Sequence, residues 1–366
     1  MSSRRVGRAF ALVCLYVLVI LAGLELGTRL FRPQNVFSST VNTWDERLGT
    51  RQVPGATGFV SCDEYDVEIS INSRGLRDRE FPYEKPEGVR RILSLGDSFA
   101  CGYGVAVDRT YAKVLERELS RRQGVWEVLN AGVGSTGTAH QLAYFLDEGR
   151  KYEPDIVLVG VFVGNDLWDN VLSGLYSLED GSLVRHPAPF TSARKIQRFT
   201  KWLPGYGALL SRSHFLTLLR LEIAQWHRRQ LTDSAHAAEP EAAHDAPMEL
   251  TRRLLTEFEK ACDDRGATLV VMLVPVPERQ ARPADQREAT LAAFLRDQGV
   301  PCLNLGPVFR AERGRRTLEF AHDCHWTEIG HRLAAIELMA FLDGRSLLSP
   351  VQGLSPPEPA TGAARS

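Results

Sequence analysis

With 366 residues, 44% hydrophobic and 24% charged, the chain carries enough apolar material for a full core, and its composition rules out disorder as the default state. Lys plus Arg number 44 against 45 Asp plus Glu, so no net field recommends nucleic acid or another highly charged partner. Length alone permits two domains, but there is no internal repeat and one run of strand–helix alternation, which fits one main domain with appendages.

Arg4, Arg5 and Arg8 precede an apolar run from Ala9 to about Leu26, broken by Glu25 near its end. The run approaches the length that crosses a bilayer. Cations ahead of it place the N-terminus in the cytoplasm and the rest of the chain outside, as a single-pass protein of a bacterial inner membrane with an extracytoplasmic domain. A cleaved signal peptide is the competing reading, against which stands the lack of a clear small-x-small site before Glu25. Export gives the cysteines beyond the run (Cys62, Cys101, Cys262, Cys302 and Cys324) room for up to two disulfides with one thiol over, and spacing leaves the connectivity open.

From Pro33 to about Gly88 turn residues dominate, with one period-two stretch, Tyr65, Val67, Ile69 and Ile71, that reads as a half-buried strand. Alternation then begins: strand 91–95, helix 110–120, strand 127–130, helix 139–149 and strand 155–163. After Asn165 the pattern fails until Met248, which marks an insertion. It has a turn signal at Glu179-Asp180-Gly181, an apolar-basic stretch from His214 to Trp226, and a loop expected from Ser234 to Pro247. The stripe Phe215, Leu216, Leu218, Leu219, Leu221 and Ile223 is expected to pack on the domain core. Helix 248–264, strand 268–274, helix 285–297, strand 300–305 and a last helix from about 327 to 342 follow, then a Pro/Ala/Gly-rich tail expected to be disordered. Such alternation argues for a parallel sheet covered by helices.

Gly96-Asp97-Ser98-Phe99 closes the first strand of the α/β run, where ligands of open sheets bind. Ser98 taken alone could equally cap the next helix. Its companions favour chemistry: His325 lies just after the last strand, with Asp323 two residues before it, so nucleophile, base and orienting carboxylate are all supplied. Two more strand ends, Asn130-Ala131-Gly132-Val133-Gly134-Ser135 and Val163-Gly164-Asn165-Asp166, offer oxyanion donors through backbone N–H groups and the Asn165 carboxamide. A metal reading of His322, Asp323, Cys324, His325 and His331 lacks a second ligand cluster, and there is no CxxC pair, so neither metal nor cofactor is called for. Gly102-Tyr103-Gly104 lacks the rest of a dinucleotide fingerprint. An α/β-hydrolase elbow needs a second glycine where Ala100 stands.

These four blocks make the sequence resemble the SGNH, or GDSL-type, hydrolase superfamily over roughly 90–342, the insertion apart. The resemblance implies an α/β fold, a flavodoxin-like three-layer sandwich with a mostly parallel five-stranded sheet in the order 2-1-3-4-5. It implies Ser98 as nucleophile, His325 as base, Asp323 as orienter, and Asn165 with Gly134 or Ser135 at the oxyanion, Ser135 standing where the family's glycine is expected. The domains would be an anchor at 1–32, a β-containing lead-in at 33–89, a catalytic domain at 90–346 with an insertion or lid at about 167–247, and a tail at 347–366. The stretch Asn72-Ser73-Arg74-Gly75-Leu76-Arg77 resembles exported members associated with surface polysaccharides, and Asp323-x-His325-Trp326-Thr327 resembles polysaccharide O-acetyltransferases. The expected function is hydrolysis of O-acyl, chiefly O-acetyl, esters of cell-surface carbohydrate or another small ester. Transfer of an acetyl group to polysaccharide is the first alternative and a non-catalytic carbohydrate-binding protein the second. The expected partners are that substrate and the membrane, with no nucleic acid.

Overall fold

In the computed structural model, residues 3–34, 36–37, 41–122, 124–190, 209, 212–223, 226, 242–277 and 286–348 are described. The first helix, α1 (Ser3–Phe31), is 29 residues long. At 1.5 Å per residue it spans about 44 Å, more than a bilayer's apolar core. Within it Val6–Phe31 has mean hydropathy 2.5 and 0% of its apolar window is buried, which is not how a core helix sits. Glu25 accepts hydrogen bonds from Ser213 Oγ and from the backbone N–H groups of His214 and Phe215, capping a helical segment over 214–223. Expected in the core, the stripe on that segment is instead exposed at Leu219, Leu221 and Ile223, while polar contacts tie the segment to the end of α1 and to Gln34 beyond it.

The lead-in is more regular than one strand. Strands β1 (Val36–Phe37), β4 (Thr57–Ser61) and β5 (Asp66–Ser70) form an antiparallel sheet in the order β1-β4-β5, and β2 (Asn42–Asp45) pairs with β3 (Gly49–Gln52) as a hairpin. Val41, Val60, Ile69 and Ile71 make its small core.

Five strands make the central sheet: β6 (Val89–Leu95), β7 (Val125–Asn130), β8 (Ile156–Phe162), and, beyond the antiparallel hairpin of β9 (Tyr176–Glu179) and β10 (Ser182–Arg185), β11 (Thr268–Val274) and β12 (Cys302–Asn304). Every pairing in it is parallel and the order is β12-β11-β8-β6-β7, which is 2-1-3-4-5 counted along the chain. The runs IVLVGVF and TLVVMLV are apolar throughout because both faces are covered. Alternate residues sort between two cores. Leu93, Val157, Val159, Leu269 and Val271 meet α4 (Thr138–Asp147), α6 (Ala242–Asp263) and α7 (Arg287–Gln298). Ile92, Ile156, Leu158, Val270 and Met272 meet α3 (Tyr111–Arg122), α8 (Gly306–Glu312) and α9 (Glu328–Gly344).

Two local expectations are corrected. Beyond Asn165 the chain forms α5 (Asp166–Ser173) and the β9–β10 hairpin, whose tight turn puts Asp180 at φ 49° and Gly181 at φ 76°. Of the loop expected at 234–247, residues 234–241 lie outside the described residues and Ala242 onward is helical. All six cysteines are free thiols, within the range of up to two disulfides that the sequence left open. The tail from 349 also lies outside the described residues.

Candidate active site

At the carboxyl end of β6 the chain turns so tightly that a Cβ on Gly96 would meet the Ala100 Cβ at 2.6 Å. Asp97, not Ser98, caps the helix that follows: its carboxylate accepts from the Phe99 N–H at 2.9 Å. Ser98 opens that short helix, α2 (Ser98–Cys101), and its hydroxyl is left to face His325, with Oγ 2.7 Å from Nε2. The capping reading of Ser98 is thereby replaced.

His325 comes from a loop closed by the Thr327 N–H donating to Leu318 and the Phe320 N–H to His325 O. The next residue, Trp326, is 0% exposed and packs on Phe99 and Phe309, which fixes the backbone on which the imidazole rides. Helix α8 intervenes between β12 and this loop, so His325 lies further past the last strand than the sequence suggested. The Asp323 oxygens straddle Nδ1 at 2.8 and 2.9 Å. A carboxylate can only accept, so Nδ1 carries the proton and neutral Nε2 accepts from Ser98. Burial alone would raise the Asp323 carboxyl, but the bond and charge of His325, the Tyr65 hydroxyl and the Cys324 N–H bring it down to about 2. The carboxylate therefore stays ionised through the neutral range.

Gly132 lets the second block approach the turn at Ser98, since a Cβ there would lie 2.2 Å from the Cys101 nitrogen. Val133 N–H donates to Gly96 O at 3.0 Å, Gly134 abuts the Tyr103 hydroxyl, and Ser135 is exposed at φ 63°. In the third block Asn165 Nδ2 donates to Asp169 at 2.7 Å, while its Oδ1 is buried with no hydrogen-bond partner. Asn170 then ties α5 to the start of α4 by accepting from the Ala139 N–H. Ser98, His325 and Asp323 thus share one hydrogen-bonded chain, whereas Asn165 is bonded to Asp169 and not to the serine.

Burial pushes Asp97 up to about 6, against the Phe99 N–H and the His325 charge, and Asp166 is raised by burial and by Asp97 and Asp169. His331 stands apart from the cluster of Asp323, Cys324 and His325: it is fully buried, held down to about 3 chiefly by burial, and its Nδ1 accepts from the Tyr111 N–H. Asp323, Cys324 and His325 present ligand atoms within 4.8 Å of one another. In the structure both ring nitrogens of His325 are engaged, Nδ1 by Asp323 and Nε2 by Ser98, and burial raises the Cys324 thiol to about 12. His322 is exposed, with its backbone held by Glu64.

Three contributions escaped the sequence. Tyr65 donates to Asp323 Oδ2, and Glu64 accepts from the Ala321 and His322 N–H groups at 2.6 Å. Arg77, 1% exposed, donates to the carbonyls of Cys101, Gly102 and Val105, just past Ser98. The sequence signal for Arg77 is the Asn72–Arg77 stretch, in which Asn72 accepts from the Arg74 and Leu76 N–H groups and so aims Arg77.

The profile of the GDSL-like Lipase/Acylhydrolase family matches residues 94–333. The chain belongs to that family and is a hydrolase acting on esters. No curated protein matches it in sequence. Among solved structures it is similar to TesA, with 12% identity, TM-score 0.43, and coverage of 70% of this chain and 99% of that one. A lipase/acylhydrolase from Enterococcus faecalis has 16% identity and TM-score 0.41, with 72% and 100% covered. A two-domain esterase active on acetylated mannans has 15% identity and TM-score 0.41, with 75% of this chain and 53% of that longer one covered.

Proposed function

We propose that this protein is a membrane-tethered serine esterase acting on O-acyl, chiefly O-acetyl, esters of extracytoplasmic carbohydrate, with Ser98 as nucleophile. The observation that carries the reading is the hydrogen-bonded chain Ser98–His325–Asp323. As Ser98 Oγ bonds to the ester carbonyl carbon, its proton passes to His325 Nε2, and the carbonyl electrons move onto the oxygen. Asp323, still ionised, stabilises the imidazolium and holds the productive tautomer. The oxyanion is met by the Asn165 amide and by backbone N–H groups at Gly134 or Ser135. His325 returns its proton to the departing alkoxide, leaving an acyl group on Ser98. Water, deprotonated by His325, then releases acid and restores the serine.

Acetyl esters of carbohydrate are supported by the Asp323-Cys324-His325-Trp326-Thr327 run and the Asn72–Arg77 stretch, each resembling proteins of surface-polysaccharide chemistry. The first of these also favours a second reading, in which a sugar hydroxyl replaces water and the acetyl group is transferred. Tethering is supported by α1, and extracytoplasmic placement by Arg4, Arg5 and Arg8 ahead of its apolar run. The test is product analysis with acetylated polysaccharide and a chromogenic acetyl ester, with and without sugar acceptors. Free acetate in both cases supports the esterase, acetylated acceptor supports transfer, and no release from either substrate contradicts both.

A further inference from the structure

The hairpin joining β4 to β5 ends in Cys62-Asp63-Glu64-Tyr65, closed by the Cys62 N–H donating to Tyr65 O at 2.8 Å. Its tip lies against the Asp323 loop. The Glu64 carboxylate takes two adjacent backbone N–H groups of that loop, and the Tyr65 ring packs on Phe320 with centroids 4.7 Å apart. Gly104 permits the ring pair, since a Cβ there would meet Phe320 at 2.4 Å and Tyr65 at 3.2 Å. The tyrosine hydroxyl is thereby aimed at Asp323 Oδ2, while the Cys324 N–H donates to Oδ1 at 2.6 Å.

We propose that Tyr65 is a positioning residue of the esterase: supplied from outside the α/β domain, it holds the second oxygen of Asp323 so that the carboxylate straddles His325 Nδ1. The physical need follows from the two-residue spacing. Asp323 and His325 share one tight turn, so the chain between them is too short to set the carboxylate's rotation independently of the ring. Each oxygen instead receives its own second donor, Cys324 N–H on one side and Tyr65 O–H on the other, and the two together fix the plane in which Nδ1 meets both oxygens. Burial and the Asp323 charge raise the Tyr65 phenol, so the proton stays on Tyr65 and the carboxylate stays the acceptor. Asp323 is 5% exposed, so water replaces a lost donor poorly.

This rests on the triad reading, and a double-mutant cycle separates the two. Tyr65→Phe keeps the ring on Phe320 and removes the hydroxyl. It should lower kcat on a chromogenic acetyl ester by about ten- to a hundredfold, the range for losing one hydrogen bond to a charged group, with KM within about twofold. In an Asp323→Asn background the same substitution should cost almost nothing, because the group it acts through is gone. In the organophosphonate adduct, the low-field Nδ1–H proton resonance of His325 should shift on Tyr65→Phe while the melting temperature stays within a few degrees. Equal losses in both backgrounds, an unmoved resonance, or full activity in Tyr65→Phe would overturn the proposal and leave the triad standing. Full activity in Asp323→Asn would overturn the triad itself.

Discussion

Asp323 stands two residues from the imidazole it faces, and the turn at Cys324 is what lets both its oxygens reach Nδ1. On the proposed mechanism, Asp323→Asn should lower turnover by about ten-thousandfold with the fold intact, as the equivalent change does in serine proteases, through the wrong tautomer. His322→Ala, at an exposed side chain, should cost less than tenfold, about the effect of one modest contact; steady-state kinetics on an acetyl ester compare the two. Asp97 makes a pH prediction of opposite origin. Its carboxyl rises from 3.8 to about 6 on folding, so burying its charge costs stability above pH 6, and the cost vanishes as pH falls below about 4. Asp97→Asn keeps an oxygen for the Phe99 N–H and removes that charge. Thermal melts should show the variant more stable than the parent at pH 8 and indistinguishable at pH 4. Ser98, Asp323 and His325 were legible because each falls at a recognisable place beside a strand or helix end. Tyr65 was not, since 258 positions separate it from Asp323 and its neighbours read only as an alternating strand.

At the scale of elements, the regular run from β6 to β8 and the strand β11 were legible because apolar runs of that length, bounded by turns, have few other uses. The Asn72–Arg77 stretch was legible as a motif but not as a mechanism. Folded, it delivers a guanidinium to three carbonyls at the end of α2 and just beyond it, and nothing local in the sequence names those acceptors. Arg77→Met keeps much of the volume and leaves the carbonyls of Cys101, Gly102 and Val105 without their charged donor. The variant should lose about 3 kcal/mol in denaturant unfolding, the scale of stranding buried acceptors, and turnover should fall with it as α2 loosens. The β9–β10 hairpin and the helical start at Ala242 were missed because the first has only four residues per strand and the second begins in a Pro- and His-containing stretch that reads as loop.

The central sheet, with its two cores, brings Ser98, His325 and Asp323 together at its carboxyl edge, and the lead-in reaches that edge from outside, at Arg77 behind the serine and Tyr65 behind the aspartate. The helix α1 stands clear of both cores. A reporter fused after Ser366 should be active only where it works outside the cytoplasm, and activity of a cytoplasm-only reporter would contradict the proposed orientation. Everything in the proposed mechanism passes through the serine at the end of β6, which mass spectrometry of the protein after treatment with an aryl organophosphonate probes directly. One adduct per chain on the peptide containing Ser98, with esterase activity lost in proportion and no labelling of Ser98→Ala, is the predicted result. Labelling at another residue, or undiminished ester hydrolysis by Ser98→Ala, would contradict it.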